Sequence, residues 1–301
     1  MLPIEAAILR TVLYADVFNF PLTLDEIHRY LISDQRFTKQ AIQNTLAQSS
    51  QLTHYLYQSS DYICLKTHQE IIGIRTIREA ISIELWNQAM QYGQLLSHIP
   101  FVEMVALTGA LAVRNPSAVD DDFDYLLITQ PKRVWLARFF AVIMVRIIRL
   151  FGRELCPNYV LASDQLQQSR QDLYIAHEIT QMQPIYGEIM YQKMVAQNQW
   201  VQSYLPNMTA YATSQDQPRR LRKGLEWVLS GWLGDRLEAW EYRRKMNKFS
   251  AKLAQVQSSA EINQGSVKGH FKDHGEPVMV QYEALLEQYG LLERQEALAG
   301  D

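Results

Sequence analysis

The stretch from Met104 to Thr129, MVALTGALAVRNPSAVDDDFDYLLIT, limits what this chain can fold into more than any other. Val105, Ala106 and Leu107 form a short apolar run ended by Thr108 and Gly109, and Tyr125 to Ile128 form a second run directly after a cluster of aspartates. Apolar runs of this length bounded by turn residues read as buried strands. Side chains alternate along an extended chain, so Asp122, Asp124 and Leu126 share one face while Asp121, Phe123 and Tyr125 share the other. Two carboxylates on one strand face, with Cβ atoms about 7 Å apart, cannot enter a core unpaired, because an isolated buried charge is prohibitively expensive. A hard divalent cation resolves that conflict, since Mg²⁺ binds through one or two carboxylates together with substrate phosphates. The competing reading is a solvated acidic loop, because D-x-D by itself commonly occurs without a metal. Gly109 lies thirteen residues before Asp122, where a turn can present backbone N–H groups to a phosphate.

The order of hydrophobic residue, Gly, small residue, a spacer and then hydrophobic-Asp-hydrophobic-Asp-hydrophobic resembles the nucleotidyltransferase fold, the superfamily of polymerase-beta-like enzymes. The resemblance covers Leu95 to Leu161, and the runs CPNYVL and DLYIAHEITQMQPIYG are similar to uncharacterised bacterial nucleotidyltransferase-like proteins. It implies that Gly109 and Ala110 occupy the phosphate-binding position, that Arg114 helps them hold the β- and γ-phosphates of a nucleoside triphosphate, and that Asp122 and Asp124 bind Mg²⁺. Two departures stand out. Ala110 replaces the usual Ser, and the loss of one hydrogen bond weakens a site by roughly 0.5 to 3 kcal/mol. The family's third carboxylate comes from a later strand, where the candidate run Asn158 to Ala162 opens with an amide; Asp164 and Asp172 are the nearby alternatives.

Length and composition set the remaining bounds. A chain of 301 residues is long enough for about two domains, and 48% hydrophobic with 20% charged residues suits an ordinary globular core. The formal charge of −3 predicts neither a nucleic-acid coat nor a membrane surface. Cys64 and Cys156 are the only cysteines, which excludes a disulfide scaffold and suits a reducing compartment. The N-terminus MLPIEAAILR lacks the basic start and cleavage site of a secretory signal, so the cytoplasm is the expected location. Val134 to Phe151 is the one membrane-like run, but Arg138, Arg146 and Arg149 interrupt it. Each would cost roughly 2.5 to 3.5 kcal/mol at a bilayer centre, so the expectation is a buried or amphipathic helix rather than an integral membrane segment.

Along the chain, helical spacing of Ile4, Ile8, Leu9, Val12 and Leu13 predicts a first helix. Thr23 with Glu26 forms a capping box for a second, and Thr38 caps a third over KQAIQNTLAQ. HYLYQ and DYICLK flank a polar turn as hairpin arms. Three helices and a hairpin over residues 1–66 resemble a winged helix. With five basic residues against six acidic ones there, the basic footprint needed for DNA is missing, and a docking or structural role is favoured.

Gln69 to Ser97 reads as one or two helices, Pro131 starts the Arg-containing helix, and strand, helix, strand in sequence argue an α/β core. The expected fold class is α/β, mostly α, with a winged helix over 1–66, a small mixed-sheet unit over 67–187 and a helical C-terminal region over 188–301. His177 and Glu178 do not complete H-E-x-x-H, because Gln181 stands where the second His is required. His270, Asp273 and His274 read as a solvated turn. In Arg219 to Lys252, Trp227, Trp232, Leu233, Leu237 and Trp240 recur near helical spacing and read as core, while ten basic residues face four acidic ones. Gln255 to Lys268 reads as a flexible connection before a terminal helix over VQYEALLEQYGLLERQ.

Two functions compete. One is a Mg²⁺-dependent nucleotidyltransferase moving a nucleotidyl group to an unknown hydroxyl acceptor, catalysed by Asp122 and Asp124. The other is a catalytically inactive relative that acts as a regulatory or interaction protein through its N-terminal unit, a reading that Ala110 and Asn158 favour.

Overall fold

A computed structural model describes residues 1–211, 220–253, 262–268 and 274–292. The described chain is α/β and divides into two compact units. The first takes Met1–Arg75, Gln202–Met208 and the C-terminal segment from His274; the second takes Thr76–Val201 and the segment Thr209–Asp273.

The first unit is built from locally signalled helices. α1 (Pro3–Asp16) starts with Pro at its first position, where the missing N–H costs nothing. Its Glu5 carboxylate accepts from Leu2 N at 2.7 Å and from Ser49 Oγ at 2.5 Å. α2 (Leu24–Arg29) has the expected capping box: Thr23 Oγ1 accepts from Glu26 N and Thr23 N donates to Glu26 Oε2. α3 (Lys39–Gln48) is capped by Thr38 and buries Ile42 and Leu46. A helix without an expectation, α4 (Ser50–Tyr55), takes up part of the first hairpin arm, because Ser49 Oγ accepts from Leu52 N and opens a new turn. The hairpin is therefore short, with β1 (Leu56–Gln58) antiparallel to β2 (Ile63–Leu65).

α5 (Ile71–Leu96) is one continuous helix. It leads to β3 (Val102–Thr108), the short α6 (Gly109–Ala112), β4 (Phe123–Thr129), α7 (Val134–Arg149) and β5 (Leu155–Ala162). Then follow α8 (Leu173–Gln181), β6 (Gln183–Tyr186), α9 (Glu188–Gln197), α10 (Arg220–Leu229), α11 (Trp232–Leu253), β7 (Ser266–Lys268) and α12 (Gly275–Gln288). The second unit's sheet is mixed, in the order β6-β3-β4-β5-β7, with β4 and β5 parallel and the other pairs antiparallel. Its core joins Val105, Leu107, Tyr125, Leu127 and Val160 of the strands to Leu85, Ala89 and Leu96 of α5 and to Trp135 and Ala141 of α7. Tyr125 satisfies its buried hydroxyl by donating to Ala89 O at 2.7 Å, as a buried phenol must.

Several expectations are corrected. The two compact units do not follow the expected spans 1–66, 67–187 and 188–301. Residues 188–201 stay with the sheet unit, while 202–208 and α12 complete the first unit, where Tyr282 stacks edge-on against Tyr14 with ring centroids 5.3 Å apart. β5 starts at Leu155, three residues before the expected Asn158, so Cys156 and Pro157 lie within it. Part of the expected flexible connection is β7, paired with β5; the part from Gln255 to Glu261 lies outside the described residues, as do His270 and Asp273. The tryptophans read as core are on the surface: Trp227 is 81%, Trp232 69% and Trp240 51% exposed, and Leu233 and Leu237 are exposed with them. Helical spacing places apolar groups on one side of a helix, but whether anything covers that side is a tertiary matter.

Candidate functional site

The antiparallel pairing of β3 and β4 sets Thr108 opposite Asp124, so the end of one strand and the start of the other meet. Gly109 follows with φ +68°, a left-handed conformation that glycine adopts without steric cost. A Cβ at this position would lie 2.3 Å from Asp124 Oδ2. The turn therefore presses directly against the carboxylate, and only glycine fits.

The parallel neighbour β5 supplies the other wall. Its register slips between the pairs Asp124↔Cys156 and Leu126↔Tyr159, so Pro157 and Asn158 together oppose a single β4 residue. A proline, which cannot donate to the ladder, suits such a bulge. The Asn158 amide donates to Asp124 Oδ1, and the Cys156 thiol donates to Asn158 Oδ1. One ligand atom each from Asp122, Asp124 and Cys156 lie within 4.8 Å of one another.

The aspartates of the cluster divide by role. Asp121 accepts from Ser117 N at 2.6 Å and Ser117 Oγ at 3.0 Å, which closes the turn ahead of β4. Asp122 is exposed and Asp124 half-buried. Burial first, and then the neighbouring Asp122 charge, push the Asp124 carboxyl up to about 7; the Asn158 amide opposes this, while Glu178 and Asp121 add to it. Glu178 on α8 is thus a further acidic neighbour of the pair, and burial raises its own pKa too. Its sequence signal was the H-E pair, which points to another chemistry and so hides a carboxylate that the fold brings toward β4.

Comparison with family models, with curated proteins and with solved structures finds no match to this chain.

The other expected site residues lie as follows. Ala110 is exposed in the first turn after Gly109. Arg114 has a positive φ of 58° and is exposed, with its guanidinium stacked over the Trp86 ring at 4.9 Å. His177 is buried, with Nδ1 3.0 Å from Leu173 O, and desolvation lowers its pKa to about 4; it is a neutral packing residue. Asp172 caps α8 by accepting from Ile175 N at 2.9 Å, which makes it a helix cap.

The donor set can be tested against Mg²⁺ by its chemistry. Asp122 and Asp124 offer the hard oxygens this ion requires. Cys156 does not fit, because a thiol is a poor partner for a hard cation; burial and the adjacent carboxylates push its pKa up to about 12. Asn158 turns an N–H, not an oxygen, toward Asp124. The fit is therefore two carboxylates beside a glycine turn, Asp124 at the start of β4 and Asp122 just before that strand.

Proposed function

We propose that the β3–β4–β5 edge is a nucleotide site of the nucleotidyltransferase kind, transferring a nucleotidyl group from a nucleoside triphosphate to a hydroxyl acceptor. The observation that carries this reading is the contact between the Gly109 turn and the Asp124 carboxylate, with Asp122 alongside. A phosphate-facing turn and a pair of cation-binding carboxylates are of use to each other only if they are adjacent. Asp122 and Asp124 would hold Mg²⁺, which when bound neutralises triphosphate charge and activates an acceptor hydroxyl. The N–H groups after Gly109 would orient the phosphates, and Arg114, if it leaves Trp86, would add a cation. Ala110 supplies no hydroxyl for this purpose.

A second reading is favoured by the Asn158 to Asp124 hydrogen bond, because an amide N–H occupying a carboxylate lone pair competes with a cation for it. On this reading the unit keeps the fold without catalysis. The helices and hairpin of the first unit, read as a winged-helix-like module without a basic footprint, would then be the partner-binding part.

Thermal melting with Mg²⁺ and each nucleoside triphosphate separates the alternatives, since a ligand that binds only the folded state raises Tm by mass action. A rise that needs both components and vanishes in Asp122→Asn/Asp124→Asn supports the site, and pyrophosphate release on adding hydroxyl acceptors supports transfer. No rise with any triphosphate removes the transferase reading and leaves the second.

A further inference from the structure

We propose that the outer face of α10 and α11 is a peripheral docking surface for anionic lipid bilayers. The inference goes beyond the nucleotide reading and does not rest on it. Trp227, Val228, Trp232, Leu233, Leu237 and Trp240 are all exposed on these two helices. Tryptophan is ordinarily a well-buried residue, and three exposed indoles within fourteen residues form an apolar surface that water solvates poorly.

The charges of the same helices are sorted by direction. Each of the four acidic residues is held by the fold. Glu226 accepts from Phe101 N and pairs with Arg222, and Asp235 pairs with Arg133. Glu238 accepts from Trp135 N and Leu136 N, capping α7, and Glu241 is bonded by Arg244. Lys223, Arg236 and Arg243 are exposed. Arg236 lies over the Trp232 ring at 5.7 Å and Arg244 over the Trp240 ring at 5.3 Å. Indoles at headgroup depth beside cations that reach lipid phosphates are the chemistry of an interfacial helix.

The adjoining helix α7, whose Trp135 packs edge-on against Tyr242 of α11, leaves a similar run exposed: Ile143, Ile147, Leu150 and then Phe151, with Arg146 and Arg149 between them. Among the described residues no helix is long and apolar enough to cross a membrane, so the contact proposed is with the surface. Two other occupants fit less well. A single-stranded nucleic acid would stack on the indoles but gain nothing from Val228, Leu233 and Leu237, which have no ring. A second copy docked by this same face would bring the patch holding Lys223, Arg236 and Arg243 against the same cationic patch, with every acid of the helices already engaged.

The test is co-sedimentation of the full chain with phosphatidylcholine vesicles, with and without phosphatidylserine, alongside the fluorescence of its tryptophans. The expected result is binding that requires phosphatidylserine, weakens with salt and shifts emission to the blue. Trp227→Ser/Trp232→Ser/Trp240→Ser should lower partitioning roughly tenfold or more. Arg236→Gln/Arg243→Gln should lower it about fivefold per charge removed, with Ile189→Ser, a solitary exposed apolar residue on α9, as an unaffected control. All of these side chains are exposed, and thermal melts check that each variant is folded. Equal sedimentation without phosphatidylserine, or undiminished binding by both the Trp and Arg variants, would overturn the proposal. So would a lipid-free dimer that the Trp variant dissociates, or oligonucleotide binding that outcompetes vesicles.

Discussion

Glu26 in the first unit and Asp124 in the second are both partly buried carboxylates, and they have been given opposite surroundings. Glu26 receives the Arg75 guanidinium through both oxygens, at 2.8 and 3.2 Å, as well as the Thr23 backbone N–H. Arg75 itself is buried, donates to Pro21 O and lies 3.9 Å from the Phe20 ring centroid. Asp124 receives a neutral amide and has Asp122 and Glu178 as its charged neighbours. One carboxylate is compensated and contributes to folding. The other is left with excess negative field, which costs stability unless a cation arrives. An uncompensated carboxylate on a rigid strand is therefore a candidate for function in a way that a compensated one is not.

The largest effect expected from this contrast is in the first unit. Arg75→Ala removes the donor to both Glu26 oxygens and to Pro21 O, and breaking a buried pair by removing one partner costs about 3–5 kcal/mol. Urea unfolding should show this loss at neutral pH. A loss below about 1 kcal/mol would mean that Glu26 is rehydrated in the variant and that the pair is structurally dispensable, which would erase the contrast.

At Asp124 the sign reverses. Its folded pKa of about 7 lies above its unfolded value, so between about pH 4 and 7 the folded state binds more protons. Stability from this group is present below the unfolded pKa and is lost as pH rises through 7. Asp124→Asn keeps an acceptor for the Asn158 amide and removes the charge, so it should stabilise the chain by about 2–4 kcal/mol at pH 8 and by little at pH 4. The comparison between the two proteins cancels the upward shift of Asp16, which the substitution does not touch. A variant less stable than wild type at pH 8 would show that Asp124 is compensated after all.

How far this contrast could be read beforehand depends on how local each signal is. The Thr23–Glu26 box and the Thr38 cap are complete within four residues, and both were legible. The expected strand face carrying both Asp122 and Asp124 is realised only at Asp124, because β4 begins at Phe123. Arg75 gave no signal as the partner of Glu26, since 49 residues separate them. β6 and β7 were missed because QPIY and SVK are too short to show alternation, and only their pairing with β3 and β5 makes them strands. The tryptophans of α11 were misplaced for a related reason: their spacing is a property of the helix, and their exposure is a property of what lies beside it.

A smaller effect is expected at the turn. Gly109→Ala combines a positive φ with a Cβ placed 2.3 Å from Asp124 Oδ2. Non-glycine residues in this region cost about 1–3 kcal/mol, and relief requires moving the carboxylate. The variant should therefore lose both stability and the Mg²⁺- and nucleotide-dependent rise in Tm. Retention of that rise with lowered stability would separate the turn from the ligand site.

The smallest effect sharpens the comparison most, because it changes ligand binding and leaves the fold nearly untouched. Ala110 is exposed in the first turn after Gly109, so Ala110→Ser adds a hydroxyl without displacing any packed group, and stability should change by no more than about 0.5 kcal/mol. If the turn faces phosphate, the hydroxyl adds one hydrogen bond, worth about 0.5–1.5 kcal/mol net, and nucleotide affinity should improve roughly two- to tenfold. The gain should require Asp122 and Asp124, because the phosphates are held there only together with the cation. Calorimetric titration of nucleoside triphosphate with Mg²⁺ into wild type, Ala110→Ser and Ala110→Ser/Asp124→Asn measures this directly. An equal gain in the single and double variants would show that the hydroxyl contacts nucleotide away from the carboxylates. No gain in either would place the nucleotide elsewhere, and Asp124 would then stand as an uncompensated carboxylate without the ligand its surroundings call for.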